Sequence, residues 1–165
     1  MNVYLAGDLH LGHRNICQYR EVFEDLDAHD EAIYDMLSDS LGKKNPLWLL
    51  GDIAFTKEAI EMLAKFNTKR IKLVLGNHDV GERGIKISDW VQAGFTDIYG
   101  LVKYKEFWMS HAPIHTQALR GCHNIHGHLH DRKVIDDRYT CVSLEHSNYE
   151  LFTLESIRQR IENNK

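Results

Sequence analysis

In the first half of the chain, short apolar runs alternate with segments whose apolar residues recur every three or four positions. The runs at residues 3–6, 47–50 and 71–75 read as buried strands. Between them, Ile33, Leu37 and Leu41 stand at fourfold spacing and predict a helix, capped by Asp27, ended by Gly42, with His29 on its polar face. Thr56 is placed to cap a second helix that turns Ile60, Leu63 and Ala64 inward. Five more strands are expected at residues 98–104, 107–110, 124–126, 139–144 and 149–152, and Ile157 and Ile161 then mark a last helix that frays over 163–165. The opening suits parallel pairing and the later strands suit antiparallel hairpins, so the class is α/β. No repeat, low-complexity tract or linker interrupts residues 1–165, which are expected to form a single domain.

Composition changes this picture little. A chain of 165 residues, 43% hydrophobic, is long enough to bury a substantial core. Twenty basic against 24 acidic residues give a net charge of -4, so neither stable nucleic-acid binding nor attachment to an anionic membrane is expected. No apolar run reaches membrane-spanning length, and the first apolar stretch is too short for a signal-peptide core. Cys17, Cys122 and Cys141 are widely spaced without a C-x-x-C pair, which suits a reducing, cytoplasmic setting. Histidine is the outlying count, with 11 dispersed along the chain.

The candidate chemistry lies at the strand ends. Residues 3–6 lead into Gly7-Asp8-Leu9-His10, 47–50 into Gly51-Asp52, and 71–75 into Gly76-Asn77-His78-Asp79. Residues 107–110 lead into His111, and 124–126 into Gly127-His128-Leu129-His130. Ligands of open α/β sheets sit at the carboxyl ends of strands, so these side chains can converge on one edge. Asp8, His10, Asp52, Asn77, His111, His128 and His130 offer carboxylate, amide and imidazole but no thiolate. Such a set suits manganese, iron, zinc, cobalt or nickel better than calcium or magnesium. Seven donors exceed one ordinary site and suit two ions sharing a carboxylate, whose charge would draw phosphate despite the acidic chain.

Taken together, the five segments resemble the calcineurin-like metallophosphoesterase family, whose signature runs D-x-H, G-D, G-N-H-[D/E], H and G-H-x-H. The resemblance spans residues 8–130. It implies a four-layer αββα sandwich of two mixed β-sheets flanked by helices, carrying two divalent metal ions, manganese first. By resemblance, Asp8, His10, Asp52 and His130 hold one ion, and Asp52, Asn77, His111 and His128 the other. His78 would face the substrate and protonate the leaving group, Asp79 would orient its ring, and a hydroxide shared by the ions would attack phosphorus. Residues 10–16 resemble a variant of small stand-alone members, in which His13 or Arg14 either contacts the substrate phosphate or, with Asn15, only orients the next segment. Residues 114–122 read as a surface loop or a rim over the pocket, and Cys122-His123 lacks a second cysteine for structural zinc.

The function expected is hydrolysis of a phosphoester, small-molecule or nucleotide-like, with diesters ahead of monoesters. A non-catalytic scaffold on this fold is disfavoured by the complete donor set and His78, and a nuclease by the absence of a basic excess.

Overall fold

The computed structural model describes residues 2–41 and 45–163. In chain order the elements are β1 (Tyr4–Ala6), α1 (Leu26–Leu41), β2 (Leu47–Leu50), α2 (Lys57–Leu63), β3 (Ile71–Val74), α3 (Ile87–Gln92) and β4 (Asp97–Tyr99). They continue with β5 (Leu101–Tyr104), β6 (Phe107–Ser110), β7 (His123–His126), β8 (Tyr139–Cys141), β9 (Phe152–Thr153) and α4 (Leu154–Asn163). One sheet has the order β4-β3-β2-β1-β9 and the other β5-β6-β7-β8. Both are mixed: β1 to β4 run parallel with β9 antiparallel, and β6, β7 and β8 run parallel with β5 antiparallel.

Side-chain alternation along the strands builds two cores. Leu47, Leu49, Ile71 and Leu73 face Ile33 and Leu37 of α1 and Ile60 and Leu63 of α2. Leu5, Leu50 and Val74 face the other way, onto Phe107, Met109 and Ile125 of the second sheet. The sheets therefore stack as the expected sandwich, with α1, α2 and α3 outside the first. Over the second sheet lies the short helical turn Thr116–Ala118, where the Leu119 carbonyl accepts the Trp108 indole N–H at 3.2 Å.

Several expectations need correction. The run 98–104 is two strands in different sheets, because the chain switches sheet at Gly100; its continuous apolarity hides that switch. Among the described residues only β5 and β6 form an antiparallel hairpin, since the segments between β6, β7 and β8 are long enough to cross over. The first helix is capped by Asp25, whose carboxylate accepts the Ala28 N–H at 2.8 Å, leaving Asp27 in its first turn. Its expected end at Gly42 lies outside the described residues, as do the last two positions of the expected frayed terminus. Residues 149–152 are not a strand throughout, because Asn148 and Tyr149 adopt φ of 54° and 64°. His29 is fully buried rather than on a polar face. Helix α3, which the sequence pattern does not predict, buries Trp90 and directs its indole N–H to the Asp79 carbonyl at 2.9 Å.

Thr56 caps α2 as expected, accepting the Ala59 N–H at 3.1 Å. Thr56→Ala is expected to lower stability by about 1 kcal/mol. Ile125→Ala, which opens the core between the sheets, should cost about 2–5 kcal/mol. Urea unfolding with an unchanged slope checks both values.

Candidate metal centre

The carboxyl ends of β1, β2 and β3 meet those of β6 and β7 along one edge of the sandwich. Asp8 makes that junction. Its Oδ2 accepts the backbone N–H of His128 at 2.8 Å and the Ser143 hydroxyl at 2.6 Å, both from the second half of the chain. Its Oδ1 is buried without a hydrogen-bond partner and lies 3.9 Å from His10 Nε2 and 3.9 Å from His130 Nε2. Both ring nitrogens of His10 are likewise buried and unpartnered. Donors bound to one ion at about 2.0–2.2 Å stand roughly 3–4 Å apart, so Asp8, His10 and His130 fit a divalent cation.

A second donor set lies beside the first. His111 Nδ1–H donates to the Leu50 carbonyl at 3.0 Å, which leaves Nε2 as a bare lone pair in the neutral ring. That nitrogen lies 2.9 Å from Asn77 Oδ1, 3.0 Å from His128 Nδ1 and 3.3 Å from Asp52 Oδ2. In a neutral ring that lone pair would face the oxygens of Asn77 and Asp52, so the arrangement suits a cation or a proton. Among the described residues, the groups of three close histidine or carboxylate donors are Asp8–His10–His130 and Asp52–His111–His128, and Cys122 and His123 belong to neither.

Backbone strain marks the same residues. Asp8, His10, Asp52, His128 and His130 all have φ between 51° and 71°. Left-handed backbone costs a residue bearing a side chain on the order of 1 kcal/mol, and the cost here falls on five of the seven expected donors. The motif glycines answer a related steric demand. A Cβ on Gly51, whose φ is 82°, would lie 2.4 Å from the His111 ring, and one on Gly76 would lie 2.3 Å from Asp52.

Burial and hydrogen bonding together set the charges. Burial holds the His10 imidazole down at about 2 and raises the Asp8 carboxyl. Burial works against ionisation of Asp52, yet the His111 hydrogen bond keeps it at about 2. His111 is raised despite its burial, through Asp52, and His130 is raised through its hydrogen bond to Glu145.

His78 is half-buried beside the donors, its ring 4.9 Å from Phe55 and 6.5 Å from His10, and its backbone N–H reaches Asp52 Oδ1 at 2.9 Å. Asp79 has other partners than the expected ring. Its fully buried carboxylate accepts the backbone N–H groups of Gly76 at 2.7 Å, Asp52 at 2.8 Å and Ile53 at 2.7 Å. It thereby ties the loop after β3 to the loop after β2. His13 stacks near Phe55 with centroids 4.4 Å apart, and exposed Arg14 stands in the same cleft. Sequence reasoning misses Arg83, Arg20, Glu145 and Ser143, which carry no motif. Arg83 lies 4.3 Å over the Phe55 ring, in that same cleft.

A two-sheet sandwich with two histidine–carboxylate donor sets at its carboxyl edge defines a metal-binding α/β protein. Residues 1–163 match the calcineurin-like phosphoesterase family, and the chain belongs to it. The crystal structure of a protein of unknown function from Aquifex aeolicus superposes with a TM-score of 0.71 at 22% identity, over 96% of this chain and 98% of that one. The Gene 66 proteins of Mycobacterium phages L5 and D29 are each 34% identical, over 82 and 83 residues. Each match takes in 47% of this chain and 40% of the phage protein.

Histidines bind metal only when neutral, and His111 and His130 hold protons above the ordinary histidine range of about 6.5. Metal occupancy is therefore expected to fall as pH drops from about 7 toward 5, read by metal analysis after dialysis. Occupancy flat down to about pH 4 would count against both donor sets.

Proposed function

We propose that residues 1–165 act as one metallophosphoesterase domain hydrolysing phosphodiesters of nucleotide-like small molecules with two divalent ions. Manganese is the first choice, with iron, zinc, nickel or cobalt as alternatives. The observation that carries the reading is the pair of donor sets, Asp8–His10–His130 and Asp52–His111–His128, side by side in a chain of the phosphoesterase family. Asn77 would complete the second set, with its Oδ1 2.9 Å from His111 Nε2, and Asp52 would serve both.

The ions would supply positive charge against the phosphoryl oxygens and acidify a water at neutral pH. The remaining work belongs to side chains. His78, half-buried beside the donors, would face the substrate and give a proton from its imidazole to the leaving oxygen. Asp79 would act at one remove, fixing the loops that carry Asp52, Asn77 and His78 through their backbone amides. His13 and Arg14, with Arg83, would receive the phosphate oxygens not facing the ions.

Preference for a diester rests on room for two substituents. Two clefts share His13: one of about 600 Å³ lined by His10, Tyr19, His128 and His130, and one of about 560 Å³ lined by Arg14, Phe55 and Arg83. Monoester hydrolysis on the same metal core is the alternative. Three free cysteines suit a cytoplasmic setting, and no described helix is long and apolar enough to cross a membrane.

Metal-stripped protein refilled with manganese should hydrolyse bis-p-nitrophenyl phosphate faster than p-nitrophenyl phosphate, and Asp52→Asn should remove at least about 100-fold of either rate. His78→Ala should keep both ions and slow esters with poor leaving groups by about 10²–10⁴-fold, sparing good ones. Equal loss on both would remove His78 as the acid. Two bound ions with no turnover on any ester would point instead to a non-catalytic scaffold.

A further inference from the structure

Arg20 is buried to 1% exposure and comes from a stretch with no motif, yet its guanidinium makes four hydrogen bonds. Nη2 donates to the Asp8 carbonyl at 2.6 Å and Nη1 to the Leu9 carbonyl at 3.2 Å. Nε donates to Glu145 Oε1 at 3.0 Å, and Nη2 lies 2.9 Å from the same oxygen. The remaining Nη1 hydrogen points to His29 Nε2 at 3.0 Å. Because a guanidinium can only donate, His29 Nε2 must accept, so His29 carries its proton on Nδ1 and donates it to Asp30 Oδ1 at 2.8 Å. Asp30 Oδ2 in turn accepts the Gly12 N–H at 2.9 Å. Every direction in this chain of bonds is fixed.

The same logic continues toward the metal donors. Glu145, held by Arg20, is an acceptor for His130 Nδ1 at 3.1 Å. That bond places the His130 proton on Nδ1 and leaves Nε2 as the lone pair facing Asp8 Oδ1 at 3.9 Å. Glu145 is only partly buried by its neighbours' side chains, at 16% side-chain exposure, and it lines the cleft beside His130. His130 itself is 38% exposed at its side chain, so packing alone leaves the ring room to turn.

We propose that Glu145, anchored by Arg20, is a positioning residue that selects the His130 tautomer and orients its Nε2 for the ion shared with Asp8 and His10. A carboxylate on the distal nitrogen also makes a ligating imidazole a stronger donor. The anchor has a second effect. By gripping the Asp8 and Leu9 carbonyls, Arg20 holds the left-handed turn that carries Asp8 and His10, so one guanidinium orders all three donors of this set. This assignment rests on the two-metal reading, but its tautomer component stands without any metal.

Two readouts test it on the full chain, with Glu145→Leu and the near-isosteric Glu145→Gln. In metal-free protein at alkaline pH, where the rings are neutral, long-range nitrogen–proton NMR should find His130 protonated on Nδ1. Glu145→Gln, whose amide oxygen can still accept, should keep that tautomer, and Glu145→Leu should lose it. In manganese titrations, Glu145→Leu should weaken one of the two ions by about 10–100-fold and leave the other at wild-type affinity, with Glu145→Gln in between. An unchanged tautomer in folded Glu145→Leu overturns the proposal, as does equal weakening of both ions. Wild-type protein that takes up no ion overturns the phosphoesterase reading instead, and the tautomer result then decides the Glu145 assignment alone.

Discussion

The Asp8 carboxylate joins the two sheets at their carboxyl edge and, with its other oxygen, faces the metal donors. Oδ2 is bound to His128 and Ser143 across more than a hundred residues of chain, and Oδ1 is left without a hydrogen bond in a buried position. One side chain therefore couples the closure of the sandwich to the assembly of the site. The parallel bridge between Gly7 and Ser143 continues the junction in the backbone, with the Gly7 N–H on the Val142 carbonyl at 2.8 Å. The edge on which the donors collect is thus a seam between sheets, where loops from both halves can reach one another.

Holding that seam is expensive locally. Five donors sit in left-handed backbone, and Asp8 and Asp79 are carboxylates with no exposed surface. Such a concentration is tolerated only where surrounding bonds over-determine it. The bonds are visible: Asp79 collects backbone amides from two loops, and Arg20 collects backbone carbonyls from a third. The two residues act as opposite halves of one device, an anion ordering N–H groups and a cation ordering C=O groups, and between them the three loops of the first sheet are fixed. Among the buried atoms left without a hydrogen bond are both nitrogens of His10 and one oxygen of Asp8, where positive charge would complete the accounting.

The convergence of the candidate donors was legible in the sequence because each follows a strand and a small residue or turn, and strand ends are the places where side chains of distant segments meet. The α/β class was legible in the alternation of apolar runs with helical spacing, and the two-sheet sandwich came through the resemblance to the phosphoesterase family. Limits arose where local pattern and tertiary placement part. The apolar run through Ile98, Tyr99, Leu101 and Val102 carries no mark of a sheet change except Gly100. Parallel and antiparallel neighbours look alike one strand at a time, so β6, β7 and β8 could not be ordered from alternation. His29 stands four residues before Ile33 on the stripe continued by Leu37, yet its polarity put it on the solvent face in the sequence reading, because its partners Arg20 and Asp30 emerge only in the fold. Arg20 and Glu145 stand 125 residues apart, and no spacing rule reaches across that distance.

The central claim is that the seam holds two cations, one in each donor set. Crystals grown with manganese and measured at its absorption edge test it most directly. The account predicts two anomalous peaks in each chain, one among Asp8, His10 and His130 and one among Asp52, Asn77, His111 and His128. A single peak, or peaks away from these donors, would contradict it.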